Sequence, residues 1–151
     1  MLDPRVTRLA EMICGYSCDL SSSDHLLIHA FDIPEEAVAE FVRVAQGTGA
    51  RVAVRLESNI VRRQLMLGMI EANASLIAQV EKYEMEQMTA YIALRGSHNV
   101  TELADVSGEI NNLWSRVYAT PVVFQTRVPK TKWAALRWPT PGMAQQAGMS
   151  T

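Results

Sequence analysis

Apolar residues recur along the chain with two alternating periods, and the switches between them divide it into elements. Val6, Leu9, Ala10 and Ile13 follow the i, i+3, i+4, i+7 spacing of a helix face, and Asp3-Pro4 ahead of them supplies an N-cap and a first-position proline. Gly15 and the serine-rich stretch from Asp19 to Asp24 are expected to end that helix. His25–Phe31 is short, apolar and bounded by turn residues, the pattern of a buried strand. Pro34-Glu-Glu opens a second helix with the stripe Val38, Phe41, Val42 and Ala45, stopped by Gly47-Thr-Gly49.

The alternation then repeats. Arg51–Leu56 reads as a second strand, and Ser58-Asn59 can cap a helix starting near Ile60. Helical spacing runs on to about Met88, with a break near Gly68 to Asn73. Ala90–Leu94 is a third strand, followed by the turn Arg95-Gly-Ser-His98. Ile110, Leu113, Trp114, Val117 and Tyr118 mark a further helix after Ser107-Gly108. Pro121 to Pro129 admits either an alternating strand or a helix kinked at Pro121; helix is preferred, because a crossover into the next strand needs bulk. Trp133–Trp138 is the fourth strand, and the Pro139–Pro141 turn leads into a helix start. The expected fold is α/β in three layers: a mainly parallel sheet of about four strands with helices on both faces, in a single domain over residues 1–151.

Composition narrows the function classes. The chain has 151 residues, 48% apolar and 20% charged, as expected for one globular domain. A net charge of −2 gives no reason to expect nucleic acid as a partner, and no apolar run reaches the roughly 20 residues of a membrane helix. Met1-Leu-Asp-Pro-Arg lacks the basic and apolar regions of a signal peptide, so a cytoplasmic location is expected. Cys14 and Cys18 share a helix face if the first helix extends that far, and are read as buried free thiols rather than a metal or redox pair.

Candidate chemistry is sparse. His25 and His29 would approach each other on a helix, but on a strand four residues span roughly 13 Å, too far for one zinc ion. Open parallel sheets bind ligands beyond the carboxyl ends of their strands. That edge would carry Asp32, Glu57, Arg95, Ser97, His98 and the Pro139–Pro141 turn, all also readable as solvated turn residues. Gly47-Thr-Gly49 follows a helix rather than a strand and cannot present a helix N-terminus to a phosphate. Glu81, Glu84 and Glu86 with Lys82 read as a solvated helix face. Met66, Met69, Met85 and Met88 read as adaptable core, with a subunit interface as the alternative. No catalytic, cofactor-binding or metal-ligating residue is assigned.

Several segments, in order, resemble the thermophilic metallo-aminopeptidase family that contains aminopeptidases T and S, of the leucyl aminopeptidase type. They are Asp3–Ala10 with Tyr16-Ser17, Leu27-Ile28 leading to Phe31-Asp-Ile-Pro34-Glu-Glu, Gly49–Arg55, and Tyr91–Ser97. The most specific are Val128–Trp133, Leu136–Pro141 and Met143-Ala-Gln145. The resemblance implies the N-terminal part of a longer two-domain exopeptidase that releases N-terminal amino acids from peptides. Two divalent metals of zinc or cobalt type would act in the C-terminal domain, whose carboxylate and histidine ligands have no counterpart in this chain. It implies a homodimer enclosing the active-site cavity, with peptide substrate handled only by the full-length enzyme. The chain itself would then be catalytically silent and hold no metal. The alternative, from the residues alone, is a free-standing doubly wound module for a small anion or nucleotide, with Arg95, Ser97 and His98 as its site; a third is a purely structural, dimerising domain.

Overall fold

The computed structural model describes residues 3–150. Four parallel strands form one sheet: β1 (His25–Phe31), β2 (Arg51–Glu57), β3 (Ala90–Arg95) and β4 (Lys132–Arg137), in the order β2-β1-β3-β4. Helices connect them: α1 (Pro4–Met12), α2 (Glu35–Gly47), α3 (Asn59–Leu67), α4 (Glu71–Glu86), α5 (Gly108–Trp114), a single turn α6 (Val128–Lys130) and α7 (Pro141–Gln146). The three-layer α/β expectation holds, and the sheet is parallel throughout.

Strand parity assigns the two faces. Leu26, Ile28 and Ala30 of β1, with Ala90, Ile92 and Leu94 of β3, pack against α1 and α2 through Ala10, Cys14, Val38, Phe41 and Ala45. Leu27 of β1 and Tyr91 and Ala93 of β3 pack the opposite way, against Ala78 and Met85 of α4 and Tyr118 and Val122. Both central strands are covered on both faces, which is why they read as continuous apolar runs. Edge strand β2 alternates half-buried and exposed positions instead.

Local side-chain caps open three of the helices. Asp3 accepts from Arg5 N, Ser107 from Ile110 N and Thr140 from Met143 N. Gly49, at φ +88°, makes the left-handed turn after α2. The break at Gly68 separates α3 from α4, as the sequence indicates.

Three expectations are corrected. Gly15 does not end the first helix, which continues as a π turn over Ile13–Ser17 because Cys14 and Cys18 on its inner side are buried. Both cysteines are free, and burial pushes the Cys14 thiol up to about 11, with the Cys18 charge adding to the effect. Ser58 stands at the N-cap of α3 but makes no capping bond. Asp32 of the neighbouring strand end supplies it instead, accepting from Asn59 N at 3.1 Å and Asn59 Nδ2 at 2.7 Å. The third correction, at Glu81 and Glu84, belongs to the site described below.

The ambiguous segment around Pro121 is helical. From α5 the chain widens into a long π helix, Ser115–Arg127, with Pro121 inside it. Proline removes a donor and clashes with the carbonyl one α turn back; the wider winding relieves the clash. Threonine hydroxyls bind carbonyls five residues back, Thr120 to Ser115 O at 3.0 Å and Thr126 to Pro121 O at 2.8 Å. Val122 is buried and Phe124 exposed, so the two do not share the face an alternating strand would give them.

At the amino edge of the sheet, Asp24 ties three segments together. It is 3% exposed. Its carboxylate accepts from Lys132 Nζ at 2.8 Å, Thr89 Oγ1 at 2.8 Å and Ser21 N at 2.9 Å. Burial alone would raise its pKa, but the bonds from Lys132, Thr89 and Ser21 outweigh it and hold the carboxyl at about 2, below its ordinary 3.8. A carboxylate depressed in the folded state stabilises above its unfolded pKa and loses that contribution as pH falls through the folded one. Unfolding stability is therefore expected to drop as pH falls from 3.8 towards about 2, and Asp24→Asn to be less stable at neutral pH with a flatter acid limb. Urea titrations across that range check it; parallel acid limbs for the two proteins would rule Asp24 out as the cause.

Candidate functional site

On the α4 side of the sheet, the odd-numbered positions of the strands change from apolar to polar towards the carboxyl edge. His29 pairs in register with Arg55 on one side and Ala93 on the other, and Phe31 with Glu57 and Arg95. All of these side chains share one face, because equal parity in a parallel register means equal face. Helices α3, α4 and the Gly108–Arg127 helical stretch stand off from this region and leave a cavity of about 760 Å3 between themselves and the sheet. Its lining includes His29, Phe31, Glu57, Arg62, Glu81, Tyr91, Trp114, Tyr118 and Arg127.

Two polar chains run through its wall. In the first, His29, 3% exposed, bonds Glu57 Oε1 through Nε2 at 2.8 Å and the Tyr91 hydroxyl through Nδ1 at 3.0 Å. Burial works to raise the Glu57 pKa, but the His29 bond and charge, with Arg62 and Arg55, bring it below its ordinary value. In the second, Arg55 reaches Glu81 at 2.7 Å and Glu84 at 2.6 Å, and the other oxygen of Glu81 accepts from the Tyr118 hydroxyl. Glu81 is 8% exposed, so the solvated-face expectation fails for it and for Glu84; it holds for Glu86, exposed and paired with Lys82.

A carboxylate, an imidazole and a hydroxyl in line have the outline of a nucleophilic triad. The chemistry does not follow. Tyr91 is 2% exposed, and burial raises its pKa even against the nearby charges of Arg127 and Arg95, so the phenolate is disfavoured. Burial, then the charge of Glu81, drives Tyr118 upward in the same way. These are satisfied buried networks that fix side chains.

The other candidates are scattered. His25 opens β1, bonding Gln87 O at 3.0 Å and Arg51 Nη1 at 3.0 Å, remote in register from His29. Arg95 lines the large cavity and, with Ser97, a shallower depression of about 400 Å3 beside the ends of β3 and β4, but the Ser97 hydroxyl is taken by Asn99 O at 2.7 Å and His98 lines neither. The crevice between the ends of β1 and β3, where the strand order reverses, is filled by the chain itself. Gly96 N donates to Phe31 O at 2.8 Å, and Asn59 Nδ2 reaches Gly96 O at 3.2 Å. Met66, Met69 and Met85 are buried core residues. Among the described residues no group of three or more His, Cys, Asp or Glu could hold a metal ion, and no helix is long and apolar enough to cross a membrane.

An all-parallel sheet in the order 2-1-3-4, covered on both faces, defines the chain as a doubly wound α/β domain. No protein-family model and no curated protein matches the sequence. Among solved structures the fold is similar to wild-type AmpT from Thermus thermophilus, with a TM-score of 0.70 at 15% identity. The match covers 92% of this chain and 37% of AmpT, so the chain spans little more than a third of that protein and corresponds to a domain of it.

Proposed function

We propose that this chain is the non-catalytic α/β domain of a metal-dependent aminopeptidase, bracing a catalytic domain and helping to build the dimer that encloses its active site. The observation that carries this reading is the likeness to AmpT over nearly the whole chain and only part of AmpT, taken with the ordered motifs from Asp3-Pro4 to Met143-Ala-Gln145. The two divalent metals and the peptide chemistry of such an enzyme would then belong to carboxylates and histidines outside residues 1–151.

Two measurements test it. The purified chain, incubated with zinc or cobalt and an aminoacyl chromogenic substrate, is expected to show neither turnover nor stoichiometric metal; two tightly held metals with turnover would refute the proposal. The reading frame downstream of Thr151 is expected to continue into histidine- and glutamate-bearing metal motifs, and a stop codon there with no associated catalytic chain would count equally against it.

A further inference from the structure

We propose that the 760 Å3 cavity on the α4 side of the sheet binds a small organic carboxylate with a flat apolar body. The inference is independent of the supporting role proposed above. It begins with Arg127, which lines the cavity and is 7% exposed. Among the described residues it forms no ion pair with a carboxylate; it lies beside the Tyr118 hydroxyl, and its Nε is buried without a hydrogen-bond partner. The face of Tyr91, 4.0 Å from the guanidinium, stabilises the charge but accepts no hydrogen bond in the guanidinium plane. A buried cation with an orphan donor is costly unless an anion meets it.

The rest of the wall points the same way. Arg62 also lines the cavity, near enough to Glu57 to feel its charge but in no ion pair, and held over the rings of Phe31 at 5.9 Å and Trp114 at 5.7 Å. The two carboxylates of the lining are already engaged, Glu57 by His29 at 2.8 Å and Glu81 by Arg55 at 2.7 Å. Three arginines of the lining, Arg62, Arg95 and Arg127, face these two carboxylates, so the charge around the space is positive on balance. Around it the surface is apolar and aromatic, with Phe31, Leu65, Met66 and Trp114, the last stacked on Tyr118 at 4.2 Å between centroids. The volume lies within the range of about 300–1,000 Å3 usual for small-molecule sites. Inorganic phosphate would answer the charge and leave the aromatic surface uncovered; a neutral ring would do the reverse. One carboxylate on a planar body answers both.

The whole chain is titrated with benzoate, indoleacetate, the neutral isostere benzamide and inorganic phosphate, following Trp fluorescence and melting temperature. Benzoate or indoleacetate is expected to bind and raise the melting temperature, with benzamide and phosphate each weaker by about tenfold or more. Arg127→Met and Arg62→Gln should each weaken carboxylate binding by about tenfold. Equal binding of benzamide, equal binding of phosphate, no binding of either carboxylate, or unchanged affinity in Arg62→Gln would each overturn the proposal. Arg62→Gln decides the matter on its own if Arg127→Met does not fold.

Discussion

Gly96→Ala is expected to lower stability by about 3 kcal/mol, a fall of roughly 8–10 °C in melting temperature for a domain of this size. A methyl group there would stand 2.5 Å from Asp32 O, 2.7 Å from Ile33 Cγ2 and 2.8 Å from Phe31 O. Two of these are backbone atoms of the turn leaving β1, and backbone cannot swing away as a side chain does. That turn is itself constrained: Asp32 sits at φ 45°, in the left-handed region, and its carboxylate caps α3 through Asn59. Relief of the clash would have to part β1 from β3 at the point where Gly96 N bonds Phe31 O. Gly68→Ala is the control, since nothing lies within 4 Å of a methyl there. Thermal unfolding of both variants decides it; a Gly96→Ala protein melting within about 2 °C of the parent would sink the argument.

Arg55→Met is expected to cost about 3 kcal/mol, more than an exposed ion pair is worth. Glu81 would remain 8% exposed with one oxygen deprived of its cation, while Glu84, half-buried near the surface, can turn to water. If the loss comes from the stranded charge, Arg55→Met/Glu81→Gln should recover at least half of it. Glutamine keeps a carbonyl oxygen for the Tyr118 hydroxyl, which a leucine would leave buried and unpaired. Guanidinium unfolding of the two single variants and the double forms a cycle that isolates the coupling. Simple additivity would show that the Arg55–Glu81 pair is no more than a surface contact.

The residues of these predictions show how far the sequence could be read. Glu81 falls on the buried stripe of α4, with Ala74 and Ala78 before it and Met85 after, at helical spacing. A carboxylate on the apolar face was a legible sign of a buried partner. Read with Glu84 and Glu86 as a charge cluster, it suggests a solvated face. Arg55 and Glu57 occupy the parity that faces His29, but that is visible only once β2 is known to lie beside β1 in register. Tyr91 and Tyr118 look like ordinary core aromatics; Arg127 at the end of a proline-containing helix carries no local mark of burial. The expected anion site at Arg95, Ser97 and His98 rests on loop position alone. In the structure the Ser97 hydroxyl is spent on its own turn, and Arg95 lines the large cavity with Arg62 and Arg127, which two distant helices bring there.

The sequence by itself determined the order and type of the elements, because those depend on local quantities: apolar period, capping residues, and the glycines and prolines that punctuate them. His25–Phe31 was legible to the residue, and the helix through Pro121 was legible in kind, though not its π winding. The tertiary structure alone decided that β3 lies between β1 and β4, that Asp32 rather than Ser58 caps α3, and that Arg127 is buried over Tyr91. Those facts depend on which faces the crossovers bring together, and on the burial cost of each charge among neighbours distant in the chain.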